Sequence, residues 1–173
     1  PYIDKGQLVV PSGQTDFDTI CTLRWSQETA QKRMEDIISG YYTDGKKLDA
    51  VISPFDGISY GIAAALEGAG YKVGTNWPLI TGQDAELMAT KNILSGKQTM
   101  TVFKDTRILA DKCVTMVQAV LEGKQPEIND TKSYDNHKLV VPSYLCTPVA
   151  VDKANVKSAL IDTDYYKASD VGL

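Results

Sequence analysis

The feature that most constrains the fold of this chain is a repeated alternation of short apolar runs with helical patterns. The apolar runs predict five strands, at 8–10, 48–53, 78–82, 100–103 and 138–146. Apolar residues spaced three or four apart predict helices at 26–42, 57–70, 85–97 and 106–124, and a short helix and a frayed tail follow residue 152. Uniformly apolar strands that alternate with helices are typical of a parallel sheet covered on both faces. We therefore predict an α/β fold with a three-layer, doubly wound parallel sheet.

Composition and charge exclude several classes of function. The chain has 173 residues, enough for one domain with a sizeable core. Its net charge is −4 and no dense Lys/Arg run lies beside aromatic residues, which excludes nucleic acid as a partner because phosphate binding needs a basic face. No apolar run approaches the roughly 20 residues of a membrane span.

The ligating residues are few and scattered. Cys21, Cys113 and Cys146 lie far apart without a CxxC pair, and His137 is the only histidine. This spacing favours free, buried thiols over a metal cluster or a disulfide framework, and leaves open whether two of them pair. We predict no metal site and no cofactor.

The first residues suggest that the chain is part of something longer. Residues 1–6 are typical of the last turn of a helix, with Gly6 at its C-terminal stop. We therefore expect the chain to be a piece of a longer protein.

Candidate binding residues follow the predicted strands. In open parallel sheets, ligands bind beyond the carboxyl ends of the strands. The loops at those ends carry Arg24 and Trp25, Phe55 and Asp56, Asp84, and Lys104. Each has an ordinary alternative: Trp25 could be a core residue, the two aspartates could be helix N-caps, and Lys104 could pair with Asp105.

The chemistry of that set favours a neutral, polyhydroxylated ligand. A sugar ring can stack its C–H face on an aromatic side chain, while its hydroxyls bond to carboxylates, lysine or arginine. No base and nucleophile accompany the set, which indicates binding without catalysis.

One motif suggests an enzyme instead. Gly57-Ile58-Ser59-Tyr60-Gly61 matches G-x-S-x-G, the nucleophile motif of α/β-hydrolases. That motif requires the strand to run directly into the first glycine, whereas Pro54, Phe55 and Asp56 intervene here. The hydrolase with Ser59 as nucleophile is kept as an alternative.

Four segments resemble a known family: SPFDGISYGIAAALEGAGY, ITGQDAE, TMTVFKDTRILA and VVPSYL. Together they are similar to the C-terminal half of periplasmic sugar-binding proteins of ABC transporters, in the xylose-binding and ChvE-like multiple-sugar-binding group. The resemblance covers nearly the whole chain, and GQDAE with TVFKD is fairly specific for the group. It implies a type I, two-lobed protein, exported to the periplasm or anchored outside the membrane as a lipoprotein, that closes on a monosaccharide and delivers it to a permease.

The resemblance also implies roles for the candidate residues. Trp25 matches the aromatic residue that stacks on the sugar, Asp84 the carboxylate that grips its hydroxyls, and Lys104 a polar residue at a hinge crossing. Phe55 stands where many relatives have asparagine, so the identity of the sugar stays open. Arg24 and Asp56 are expected to support or position the others.

The resemblance further implies a domain organisation. Residues 1–173 would form the C-terminal lobe, with helix 106–123 packing on a missing N-terminal lobe and 138–173 supplying a return strand and the C-terminal tail. Alone, the chain is expected to self-associate or to repack that helix. The alternative from another class is the effector-binding domain of a LacI-type transcription regulator, which shares the fold.

Overall fold

A computed structural model describes residues 2–173, and Pro1 lies outside the described residues. The described chain forms two compact units. The first contains the residues up to Val102 together with Ala150–Leu173, and the second contains Phe103–Val149. The predicted helix ending ahead of Gly6 falls partly on Pro1; from Tyr2 onward the chain forms turns, and Gly6 has φ 67°.

The strands are short and two of them pair in parallel. β1 (Ala50–Val51) lies beside β2 (Leu79–Ile80), with Ala50 opposite Leu79 and Val51 opposite Ile80. β3 (Met100–Phe103) pairs with β4 (Val149–Asp152). A parallel bridge between Gln83 and Val102 continues the pairing from the end of β2 to β3. Parallel strands separated by helices confirm the predicted α/β class.

Within residues 2–173, six α-helices are interspersed with the strands. They are α1 (Phe17–Ile20), α2 (Gln27–Tyr41), α3 (Asp56–Gly68), α4 (Leu87–Ser95), α5 (Thr106–Leu121) and α6 (Ala168–Val171). A 3₁₀ turn spans Leu23–Trp25 and a π-helical turn spans Lys157–Ile161. The four helices predicted from spacing are confirmed, and α2 begins where the sequence places it because the Ser26 hydroxyl accepts a hydrogen bond from the Thr29 N–H.

The core of the first unit forms where α2 packs on α3. Ala30, Met34 and Ile38 of α2 lie on one face and are buried. They meet apolar residues of α3 and β2: Ile58, Ile62, Ala65, Leu66 and Ile80. The two helices approach at backbone distance, because a Cβ on Gly61 would lie 2.2 Å from the carbonyl oxygen of Gln27. Glycine at 61 therefore permits this packing.

The second unit consists of α5 and a polar segment with two antiparallel bridges, Asp130 with Ser143 and Asp135 with Val140. Lys112 of α5 pairs with Glu127 at 2.6 Å and lies 4.1 Å from the centre of the Tyr144 ring. No residue of α5 is buried, and its apolar stripe includes exposed Leu109, Val117, Val120 and Leu121.

Two predicted strands are wrong. The segment 8–10 forms no strand within residues 2–173, and Val9 is 78% exposed. The run 138–146 takes part only in the two isolated bridges, and the strand that follows it is β4. An apolar run becomes a strand only where a neighbouring strand supplies the ladder of hydrogen bonds.

The C-terminal tail is ordered, contrary to the frayed end predicted from the sequence. Leu160 and Val171 are buried, and α6 packs on α4. The prediction of buried thiols is also wrong, because Cys21 and Cys113 are exposed and Cys146 is half-buried, all three as free cysteines.

No helix within residues 2–173 has the length and apolar character needed to cross a membrane. Over the same residues, no group of three or more His, Cys, Asp or Glu side chains is placed to hold a metal ion.

Candidate functional site

Two aromatic rings form an exposed corner of the first unit. Trp25 ends the 3₁₀ turn with φ 55°, and its ring meets that of Phe55 edge to face, with centroids 6.1 Å apart and planes at 80°. Trp25 is 57% exposed, so the alternative that it is a core residue is wrong. Phe55 is half-buried and its ring lies over Gly57, where a Cβ would come within 2.5 Å of the ring edge. The corner offers an apolar surface to a ligand.

Asp84 lies in a strained loop that we call the Asp84 loop (residues 83–86). Asp84 has φ 96° and Ala85 has φ 51°, a left-handed conformation that costs non-glycine residues about 1–3 kcal/mol each. The N-cap of α4 is Glu86, so the alternative that Asp84 caps this helix is wrong. Asp84 is exposed, and the strained backbone includes Asp84 itself and the residue that follows it.

Tertiary hydrogen bonds hold the Asp84 loop in this shape. The Asp84 N–H donates to the Val102 carbonyl at 2.9 Å, and the Ala85 N–H donates to Thr101 Oγ1 at 3.1 Å. The Glu86 N–H donates to Asp56 Oδ2 at 2.9 Å. The backbone that carries Asp84 is thus fixed by β3 and by the carboxylate of Asp56.

Asp56 is a buried support and not a helix cap. α3 begins at Asp56 itself, so the N-cap alternative is wrong, and the residue is 0% exposed. Besides Glu86, its carboxylate accepts hydrogen bonds from Gln98 Nε2 at 2.8 Å and from Thr101 Oγ1 at 2.9 Å. Burial raises the pKa of Asp56, and these hydrogen bonds oppose the rise. Both of its oxygens are therefore hydrogen-bonded within the protein.

The segment that carries Phe55 and Asp56 is hydrogen-bonded directly to the Asp84 loop. The Asp56 N–H donates to the Gln83 carbonyl at 3.1 Å, so the residue after Phe55 is bonded to the residue before Asp84. Together with the contact between Trp25 and Phe55, this brings four of the six predicted site residues to one edge of the first unit. For Phe55, Asp56 and Asp84, which follow β1 and β2, this convergence is what a doubly wound sheet predicts for its strand ends. Trp25 reaches the same edge although the strand predicted at 8–10 does not form.

The remaining two candidates differ in their setting. Arg24 is exposed beside Trp25 and has φ 56°. Lys104 follows β3, is half-buried and lies near the start of the second unit. The neighbouring Asp105 caps α5 and pairs with Arg107 at 2.6 Å, and hydrogen bonding from Arg107 lowers the pKa of Asp105.

The setting of Ser59 argues against the hydrolase alternative. Ser59 is 2% exposed, and its Oγ lies 2.8 Å from Ser53 Oγ and 2.8 Å from the Thr81 carbonyl oxygen. A nucleophile elbow needs a hydroxyl that the substrate can reach. Ser59 instead ties α3 to the ends of β1 and β2.

Sequence reasoning missed the residues that support the Asp84 loop. Gln98 and Thr101 are buried polar residues beside or within an apolar strand, and a buried polar side chain needs a partner. That signal could have found them. The phenols of Tyr60 and Tyr166 also contact the loop, at Glu86 Oε2 (2.8 Å) and at the Ala85 carbonyl (2.9 Å).

Comparison with known proteins identifies the family. Residues 4–125, most of the chain, match the periplasmic binding protein domain. The chain belongs to this family of periplasmic binding proteins. Membership confirms the resemblance that the four sequence segments suggested.

The chain is also similar to individual sugar-binding proteins. The chain is 54% identical over 172 residues to the multiple sugar-binding periplasmic receptor ChvE of Rhizobium radiobacter, covering 99% of this chain and 48% of that protein. It is 32% identical over 171 residues to the D-xylose-binding periplasmic protein of Escherichia coli K12, covering 99% and 48%. The chain therefore spans about half the length of these relatives.

A solved member of the family has the same fold. The ABC transporter solute-binding protein from Clostridium phytofermentans with bound β-D-glucose superposes with a TM-score of 0.91 at 50% identity, over 99% of this chain and 52% of that one. This likeness confirms the predicted fold class, one lobe of a type I periplasmic binding protein.

Proposed function

We propose that this chain is the C-terminal lobe of an extracytoplasmic solute-binding protein that captures a monosaccharide for an ABC importer. The observation that carries the proposal is the joined edge of Trp25, Phe55 and Asp84 in a chain 50% identical to a protein solved with β-D-glucose. The sugar-binding functions of these relatives favour this receptor over a transcription regulator.

Each site residue has a role that its geometry supports. The exposed ring of Trp25 stacks on the C–H face of the sugar, with Phe55 beside it. The carboxylate of Asp84 accepts hydrogen bonds from sugar hydroxyls, which are stronger than bonds between neutral groups. Because the loop is already fixed before the ligand arrives, binding does not need to order it.

The other residues complete or support the grip. Lys104 donates to a hydroxyl from the hinge crossing, Arg24 supports the Trp25 turn, and Asp56 holds the Asp84 loop through Glu86. A pentose or a hexose suits this set of groups. None of these binding residues acts as a catalytic base or nucleophile.

The proposal extends to the rest of the protein. A second, N-terminal lobe supplies the other half of the site, and the exposed stripe of helix 106–123 packs on it. The permease of the importer is the protein partner, and the protein works in the periplasm or anchored outside the membrane. Without the second lobe, that stripe drives self-association of the chain.

A thermal-shift screen of the full-length protein against pentoses and hexoses tests the proposal. A ligand that binds only the native state raises the melting temperature, by an amount that grows with its concentration above Kd. We expect at least one monosaccharide to raise the melting temperature, and sugar alcohols without a ring to leave it unchanged. If no monosaccharide shifts the transition, the proposed function is wrong.

A further inference from the structure

The C-terminal segment contacts the loop that carries the proposed sugar carboxylate. The Tyr166 hydroxyl donates to the Ala85 carbonyl at 2.9 Å, across 81 residues of sequence. Tyr166 is half-buried. Leu160 before it and Val171 after it are buried, which fixes the segment on both sides of the tyrosine. α6 also packs on α4, the helix into which the Asp84 loop leads. The phenol is therefore presented to the loop by a fixed segment.

This contact reaches a backbone group of the loop, the Ala85 carbonyl, that is bound neither by β3 nor by Asp56. The N–H groups of Asp84, Ala85 and Glu86 are bound by Val102, Thr101 and Asp56, as described above. The carbonyl of Ala85 belongs to the peptide plane that follows the left-handed pair, and its orientation fixes ψ of Ala85. Tyr166 binds that carbonyl, so the hydroxyl opposes relaxation of the strained pair toward ordinary backbone angles.

The phenol is suited to this task. Burial raises the pKa of Tyr166, with smaller contributions from Tyr165, Glu86 and Asp56. A phenol is protonated at neutral pH even without this shift, so the hydroxyl can donate to a carbonyl, which a phenolate could not do.

We propose that Tyr166 is a positioning residue for sugar binding, which sets the direction of the Asp84 carboxylate by holding the Ala85 carbonyl. The inference rests on the proposed function of Asp84. It adds a residue of the C-terminal segment that does not itself contact the ligand. Loss of the hydroxyl keeps the Asp84 carboxylate in the sequence but lets its loop sample other conformations. Binding must then select the competent conformation, which lowers the apparent affinity for the sugar.

The test is Tyr166→Phe in the full-length protein, with affinity for the tightest-binding monosaccharide measured by calorimetric titration. We expect Kd to rise about three- to tenfold, the range for one lost hydrogen bond. Tyr71→Phe is the matched control, because half-buried Tyr71 follows the C-terminal end of α3, whereas Asp56 at the other end of that helix binds the Asp84 loop. That variant is expected to keep the wild-type Kd.

A double-mutant cycle separates positioning from a general effect on the fold. If Tyr166 acts through Asp84, the effect of Tyr166→Phe on Kd shrinks to less than twofold in an Asp84→Asn background. An equal effect in both backgrounds overturns the inference, as does a Tyr166→Phe Kd within twofold of wild type. Absence of monosaccharide binding by the wild-type protein overturns the proposed function instead.

Discussion

Replacing Gly61 by alanine is expected to lower the free energy of unfolding by about 3 kcal/mol, the upper range for an overpacked core. An alanine Cβ at this position would lie 2.2 Å from the Gln27 carbonyl oxygen and 2.9 Å from the Gln31 nitrogen. Both are backbone atoms of α2, so no side-chain rotation relieves the contact. α2 and α3 must move apart, which opens the core around Ala30, Met34 and Leu66.

Gly40→Ala is the matched control for this prediction. Gly40 is an exposed glycine of α2 with no atom within 4 Å of an added Cβ. Alanine is there expected to stabilise the helix by up to about 1 kcal/mol, because it loses less backbone entropy than glycine. Urea unfolding of the full-length variants measures both changes. Equal stability of Gly61→Ala and Gly40→Ala would show that the close approach of the two helices is not as described.

Replacing Asp84 by asparagine is expected to raise Kd for the sugar about 100-fold. Two hydrogen bonds to a charged oxygen contribute about 1.5–3 kcal/mol each, and the amide replaces one acceptor by a donor. Asparagine tolerates the left-handed conformation of this position, so the loop should keep its shape and the melting temperature without sugar should change little.

Asp44→Asn controls for the loss of one negative charge. Asp44 is also exposed and also has positive φ, 57°, but it lies in the turn after α2. Its variant should bind sugar as the wild type does. Calorimetric titration compares the two, and a Kd for Asp84→Asn within threefold of wild type would remove Asp84 from the proposed site.

The helices were predictable from sequence, whereas several strands were not. α2 and α3 have apolar stripes whose period is a local property, and Ser26 marks the start of α2. Strand formation depends on partners elsewhere in the chain. The runs 8–10 and 138–146 have strand composition, but their pairing is not encoded within them.

The residue types of the proposed site could be chosen from the sequence, but their geometry could not. Phe55 and Asp84 were predicted because each follows a strand, whereas Trp25 was predicted to follow the strand at 8–10, which does not form. The structure still brings the three residues to one edge. The capping alternatives were wrong because the backbone of the Asp84 loop is set by tertiary hydrogen bonds, which outweigh the local preference of aspartate for an N-cap. Tyr166 could not be found from spacing, because its partner lies 81 residues away.

A crystal structure of the full-length protein with its tightest-binding monosaccharide tests the proposed site most directly. We expect the sugar ring to lie against the Trp25 indole, with a carboxylate oxygen of Asp84 within hydrogen-bond distance of at least one sugar hydroxyl. A sugar bound away from the edge formed by Trp25, Phe55 and Asp84 would contradict the account.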